Sequence, residues 1–136
     1  MIVVDASVFA DLVTGFGRAD EYRPYAAADP HWAVPEHFTV EVASALRGAW
    51  LGGKLDRPAF EEGIRRLAAA PVEVWPVRPL LPRMVELASN ATAYDAAYLA
   101  LAETLSVALL TGDAKLAGVP GVRCSFITVT RRRAAN

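Results

Sequence analysis

Two short, wholly apolar runs, each delivering the chain onto an aspartate, constrain this sequence more than any other feature. Ile2-Val3-Val4 ends at Asp5, and Val107-Ala108-Leu109-Leu110, carried on through Thr111-Gly112, ends at Asp113. An apolar, β-branched run without polar alternation reads as a strand covered on both faces. After Asp5, Val8, Phe9, Leu12 and Val13 fall at helical spacing over Ser7 to Val13, and Gly15 with Gly17 closes the segment. The unit is strand, acid, helix, and it predicts a central strand of a parallel sheet.

The same grammar continues along the chain. Asp20 to Ala28 reads as a helix and His31 to Pro35 as a short strand, with Pro35 placed to open the next helix. That helix, about Glu36 to Gly48, sets Phe38, Val42, Ala45 and Leu46 on or near one stripe, with Glu41 at its border. Pro58 marks the first turn of a helix reaching Ala69 or Ala70, and Val72 to Val77 alternates like a strand. Leu80 to Ser89 and Tyr94 to Leu105 read as helices, and Ser125 to Val129 as an edge strand before a basic tail at 131–136. Strands alternating with helices predict an α/β sandwich with a mostly parallel sheet. In that architecture ligands bind beyond the carboxyl ends of the strands, at the topological switch point, and Asp5 and Asp113 both belong to that edge.

A chain of 136 residues, 54% hydrophobic and 21% charged, fits one domain with one packed core over residues 1–136. Fourteen Lys and Arg against fifteen Asp and Glu give a net charge of -1, so a nucleic-acid partner would have to be held locally. The single cysteine, Cys124, excludes an intramolecular disulfide and suits a reducing compartment. Met1 passes directly into the first strand without the pattern of a signal peptide, and no segment approaches the ~20 apolar residues of a membrane helix. The expected location is the cytoplasm, with no membrane partner.

Asp95 opens the segment Ala96 to Glu103, so four acids, Asp5, Glu41, Asp95 and Asp113, stand where apolar stretches give way to loops or helix faces. Carboxylates gathered at one sheet edge repel one another, and a cation must compensate. Hard oxygen ligands of this kind suit Mg²⁺ or Mn²⁺, which take a few carboxylates, keep several waters and accept phosphate oxygens. Such ions lower the pKa of a bound water and stabilise in-line displacement at phosphorus, so the expected chemistry is phosphodiester hydrolysis. Each acid also has an ordinary alternative. Asp5 can cap a helix, Asp95 can complement a helix dipole, Glu41 can be an exposed helix acid and Asp113 can form a turn.

The other chemistry-bearing residues divide in the same way. His37 lies one turn before Glu41, and a His/Glu pair can bind zinc, but two histidines and Cys124 make no zinc set. His37 therefore reads as a helix-start surface residue, His31 as a loop or strand-end residue and Cys124 as a small packed hydrophobe. Trp32, Trp50 and Trp75 can stack on bases or fill a core. Arg18, Arg47, Arg78 and the run Arg131 to Arg133 are candidate phosphate contacts.

Val3-Val4-Asp5-Ala6-Ser7, Thr39-Val40-Glu41-Val42-Ala43-Ser44-Ala45-Leu46, Tyr94-Asp95-Ala96-Ala97-Tyr98-Leu99-Ala100-Leu101-Ala102 and Leu110-Thr111-Gly112-Asp113-Ala114-Lys115-Leu116 together resemble PIN-domain ribonucleases, specifically the VapC-type toxins of toxin-antitoxin pairs. The resemblance spans essentially the whole chain and rests on the order and spacing of these segments. It implies a three-layer α/β/α sandwich with a parallel sheet, an Mg²⁺- or Mn²⁺-dependent endoribonuclease site, an RNA substrate, a cognate VapB-type antitoxin and a homodimer. Asp5, Glu41, Asp95 and Asp113 match its four acidic positions, with Asp5 and Asp95 as the first choices for direct ligands. Ser7 and Thr111 match supporting hydroxyl positions. Ala114 and Lys115 stand where some members carry a further acid, which bears on a second metal.

Other phosphoryl-transfer readings fail on residues. A haloacid-dehalogenase-like phosphatase needs an Asp where Ser7 stands, a receiver domain needs adjacent acids near Asp5, and no phosphate-cradling glycine loop follows a strand. The competing class is a non-catalytic PIN-like module that binds RNA or protein. For an antitoxin, an apolar groove around Leu12, Val13, Trp50 and Leu51 is the expected docking place.

Overall fold

The computed structural model describes residues 1–129; the basic run Arg131 to Arg133 lies outside the described residues. Five parallel strands form one sheet in the order β3-β2-β1-β4-β5. They are β1 (Ile2–Val4), β2 (Trp32–Pro35), β3 (Glu73–Trp75), β4 (Leu109–Thr111) and β5 (Phe126–Thr128). The order runs outward from β1 through β2 to β3, then returns to the other flank of β1 for β4 and β5. The direction of winding therefore reverses between β1 and β4. Val3 pairs with both Ala33 and Leu109, so β1 is the central strand its apolar run predicts.

Helices cover both faces, as the three-layer expectation requires. One layer holds α1 (Ala6–Thr14), α2 (Ala19–Ala28), α3 (Phe38–Leu51) and α4 (Arg57–Ala69), which pack on one another around α1. The other holds α5 (Leu81–Leu87), entered through a 3-10 turn at Arg78–Leu80, and α6 (Ala93–Leu105), which lies against β1, β2 and β4. Ala96 to Ala102 of α6 are all buried, and a helix apolar on every side can only sit inside a fold. Four of those seven residues are alanines, which lets the helix approach the sheet closely. The short α7 (Ala114–Ala117) follows β4 directly and was absent from the sequence reading, because four residues are too few to show a period.

Two local expectations are corrected. Pro35 does not open α3; it is the last residue of β2, in register with Trp75, and Glu36 and His37 form a turn before the helix begins at Phe38. Phe38, Val42 and Leu46 form the buried stripe of α3, but Ala45 is exposed, so the stripe is narrower than its apolar letters imply.

The tryptophans serve packing. Trp32 meets Phe9 edge-on and donates its indole N–H to the Asp29 carbonyl. Trp50 stacks on Phe60 with centroids 5.1 Å apart, under the Arg57 guanidinium. Leu12, Val13 and Trp50 pack against the core, so of the residues expected to line an apolar groove only Leu51 is exposed. Among the described residues no helix is long and apolar enough to cross a membrane.

Candidate metal centre at the carboxyl edge of the sheet

Asp5 leaves β1 with extended backbone and caps α1, its Oδ1 accepting the Ser7 backbone N–H at 3.3 Å. The capping and metal readings therefore share one conformation. Its second oxygen, Oδ2, accepts the Thr111 hydroxyl at 2.9 Å across the neighbouring strand. Thr111 is almost fully buried, and the same Oγ1 accepts the Asp113 backbone N–H at 3.0 Å. One hydroxyl thus locks the ends of β1 and β4 together. Ser7 contributes through its amide; the residue itself is exposed.

Asp113 is exposed and caps α7, accepting the Lys115 backbone N–H at 2.9 Å. The turn carrying it is held from outside the sheet. Arg18 donates Nη1 to the Gly112 carbonyl at 3.0 Å, Nη2 to the Val129 carbonyl at 2.8 Å and Nε to Glu21 at 2.7 Å. Arg18, a candidate phosphate contact from sequence, is instead committed to this tie. Gly112 has to be glycine, because a Cβ there would collide with the Tyr22 hydroxyl. Arg47 and Arg78 are exposed.

Asp95 lies in the first turn of α6, its amide donating to the Thr92 cap at 3.2 Å. Glu41 looks across from α3, accepting the Tyr98 hydroxyl at 3.0 Å on Oε1. His37 Nε2 stands 2.8 Å from the same oxygen but off the hydrogen-bond direction, so that nitrogen has no hydrogen-bond partner. His37 is mostly covered, edge-on to both Tyr94 and Tyr98, which corrects its reading as a surface residue. Tyr98 was missed entirely. The signal was present in the spacing, since Asp95 and Tyr98 are three apart on a helix and share a face.

The electrostatics tie these acids into one field. Burial raises the Asp5 carboxyl above the usual range, the Thr111 and Ser7 hydrogen bonds oppose it, and the charges of Asp95 and Glu41 raise it further. Burial also raises Asp95, with the Asp113 and Glu41 charges adding and Thr92 and His37 opposing. Burial, followed by the charges of Glu41 and Asp5, raises the Tyr98 phenol, so it stays a hydrogen-bond donor. Among the described residues no Lys or Arg forms an ion pair with Asp5, Glu41, Asp95 or Asp113. Nor, among them, do three His, Cys, Asp or Glu side chains converge as a ready-made ligand set. Mg²⁺ asks for less, since it commonly takes one or two carboxylates and keeps its waters. Oxygen-only donors, mutual repulsion and no paired cation fit such an ion.

Cys124 is half-buried, and burial pushes its thiol up to about 11, as suits a packed hydrophobe. The PIN domain family model matches residues 2–122. The chain belongs to the PIN-domain family. Its relatives include Ribonuclease VapC1 of Mycobacterium tuberculosis, 36% identical over 128 residues, covering 91% of this chain and 94% of that protein. Ribonuclease VapC9 of the same organism is 37% identical over 134 residues, 96% of this PIN domain and all of the relative. A toxin-antitoxin complex from Klebsiella pneumoniae shares the PIN-domain fold at a TM-score of 0.65 and 21% identity, covering 96% of this chain and 98% of that one. The resemblance to VapC-type PIN domains drawn from the four sequence segments is borne out.

Proposed function

We propose that this PIN domain is a metal-dependent endoribonuclease, the toxin of a VapBC-type pair, acting in the cytoplasm. The observation that carries the reading is a set of four carboxylates at the sheet's switch point, two of them raised by burial and mutual charge, none paired with a Lys or Arg among the described residues. Such an arrangement costs stability unless a cation is supplied from outside. Full-length relatives named Ribonuclease VapC support RNA as the substrate, and the Klebsiella complex supports an antitoxin partner.

In this reading Asp5 and Asp95 hold Mg²⁺ or Mn²⁺ directly, and Glu41 and Asp113 complete the site directly or through water. The bound ion supplies an acidified water and charge stabilisation at phosphorus. The protein's own residues do the rest. Thr111 holds the Asp5 carboxylate in one orientation and pins the Asp113 amide beside it. Tyr98 donates to Glu41 and keeps one of its oxygens directed, leaving the other to orient a water. The Ser7 amide fixes the outer oxygen of Asp5. Hydrolysis then leaves 5′-phosphate and 3′-hydroxyl ends, and a homodimer brings two such sites onto one RNA-binding surface.

One observation favours a second reading, a PIN-like module that binds RNA or protein without cutting it: no three-ligand set is pre-assembled among the described residues. Cleavage of total cellular RNA by antitoxin-free protein decides between them, run with Mg²⁺, Mn²⁺ or EDTA beside Asp5→Ala and Asp95→Asn, with the new 5′ ends mapped. Discrete cuts that need the metal and both acids are expected. Silence from folded, partner-free protein under every condition favours the binding module.

A further inference from the structure

Tyr94 directly precedes Asp95, yet the residue is 62% exposed. A single exposed aromatic needs no explanation in itself; this one is distinguished by what flanks it. On one side is a cleft of about 330 Å³ lined by His37, Val40, Glu41, Ser44 and Tyr94. On the other is a cleft of about 280 Å³ in which Tyr94 and His37 meet Val77, Met84, Ala93 and Ala97, with Glu36 at its edge. Tyr94 is thus a wall shared by two hollows, each near the lower end of the ~300–1,000 Å³ range of small-ligand sites. His37 buttresses the ring edge-on, with centroids 5.8 Å apart, which steadies it without covering it.

The charge around these hollows says what can enter. Neither is lined by Lys or Arg, and each sets a glutamate beside His37, so neither offers a phosphate a fixed cation. An uncharged, flat, aromatic group is the chemistry that fits. We infer that Tyr94 is the stacking platform for a nucleobase of the RNA substrate, adjacent to the phosphodiester presented to Asp95 and Glu41. Because Glu41 lines the same cleft as Tyr94, a base seated there leaves its backbone beside the acids. Splayed single-stranded bases are bound by aromatic faces in this way, and stacking tolerates any base while favouring the larger ones. Tyr94 is then a specificity-determining residue, and Ser44 is the neutral hydroxyl positioned to meet a base edge.

The inference rests on the proposed RNA substrate, and its test separates the two. Fluorescence anisotropy with labelled single-stranded oligoadenylate and oligouridylate, in EDTA to prevent cutting, is measured over a salt series for wild type, Tyr94→Ala, Tyr94→Phe and Tyr94→Trp. Tyr94→Ala weakens binding about tenfold, Tyr94→Phe and Tyr94→Trp keep it, and the slope of log Kd against log salt stays the same because no phosphate contact is lost. Equal binding by Tyr94→Ala, a flattened salt slope, or no binding by wild type overturns the inference. Metal-dependent cutting measured in parallel reports on the nuclease separately. Cutting with Tyr94-independent binding leaves the nuclease and sinks the platform; Tyr94-dependent binding without cutting does the reverse.

Discussion

The two ends of α6 carry acids in opposite electrostatic states, about two helical turns apart. Asp95, in the first turn, is raised by burial and by neighbouring carboxylates. Glu103, near the last turn, is also raised by burial, but the Arg83 hydrogen bonds, the Arg123 amide and both arginine charges outweigh that and hold it below the usual range. A helix dipole would order them the other way, favouring an acid at the N-terminus by ~0.3–1 kcal/mol and opposing one at the C-terminus. The dipole loses at both ends. At Glu103 a two-pronged Arg83 contact, at 2.7 and 3.1 Å, supplies charge-assisted bonds that are stronger than the dipole effect. At Asp95, among the described residues, no Lys or Arg pairs with the carboxylate. Burial alone therefore does not decide what a carboxylate is for; the presence or absence of a built-in cation does.

The sharpest way to break this contrast is to neutralise the acids of the candidate centre and, at the other end of α6, to remove the cation that answers Glu103. Asp5→Asn and Asp95→Asn are expected to cut RNA cleavage by about 100-fold or more while leaving thermal stability in EDTA equal or higher, since each relieves repulsion and Asn still caps α1 at position 5. A clear loss of Tm in either variant would mean the acids are structural. Arg83→Ala goes the other way. It strips Glu103, Glu86 and the Gly121 carbonyl of their donor and is expected to lower stability by about 2–3 kcal/mol in a urea melt, with cleavage per folded molecule unchanged.

Titration sharpens the same comparison because the signs differ. For Asp5 and Asp95 the folded pKa is raised, so the folded protein binds more protons, and stability in EDTA rises as pH falls from neutral toward the ordinary carboxylate range. For Glu103 the folded pKa is depressed, so its stabilisation is present above about 4.5 and is lost as pH falls further. A Tm maximum on the mildly acidic side is expected, and Mg²⁺ should move it toward neutrality by stabilising the ionised site. A metal-insensitive, flat profile would remove the electrostatic argument. The smallest effect is expected from Tyr98→Phe, which loses one hydrogen bond to Glu41 and costs about 1 kcal/mol with a several-fold drop in kcat at unchanged KM. A rise in KM with kcat unchanged would reassign Tyr98 to substrate contact.

Much of this molecule was legible from residue order because its strands are buried on both faces, and only an unbroken apolar run survives there. Ile2–Val4 and Leu109–Leu110 carry that signature, and the aspartates that follow them necessarily emerge at one sheet edge, since parallel strands share a direction. Helix starts were equally local: Pro58 falls in the first turn of α4 and Asp95 in the first turn of α6, as their residue types imply. Pro35 misled because a proline fits a strand's last residue as well as a helix's first, and only pairing with Trp75 separates the two. Residue order also carried the four acids but not their partners. That Thr111 bridges Asp5 and Asp113, that Tyr98 donates to Glu41, and that Arg18 is spent on the Gly112 turn all depend on contacts between residues up to 111 positions apart. Periodicity and capping act within a few residues and are written in the sequence, whereas a side chain's partner is set by which elements the sheet order brings together, and that only the tertiary structure decided.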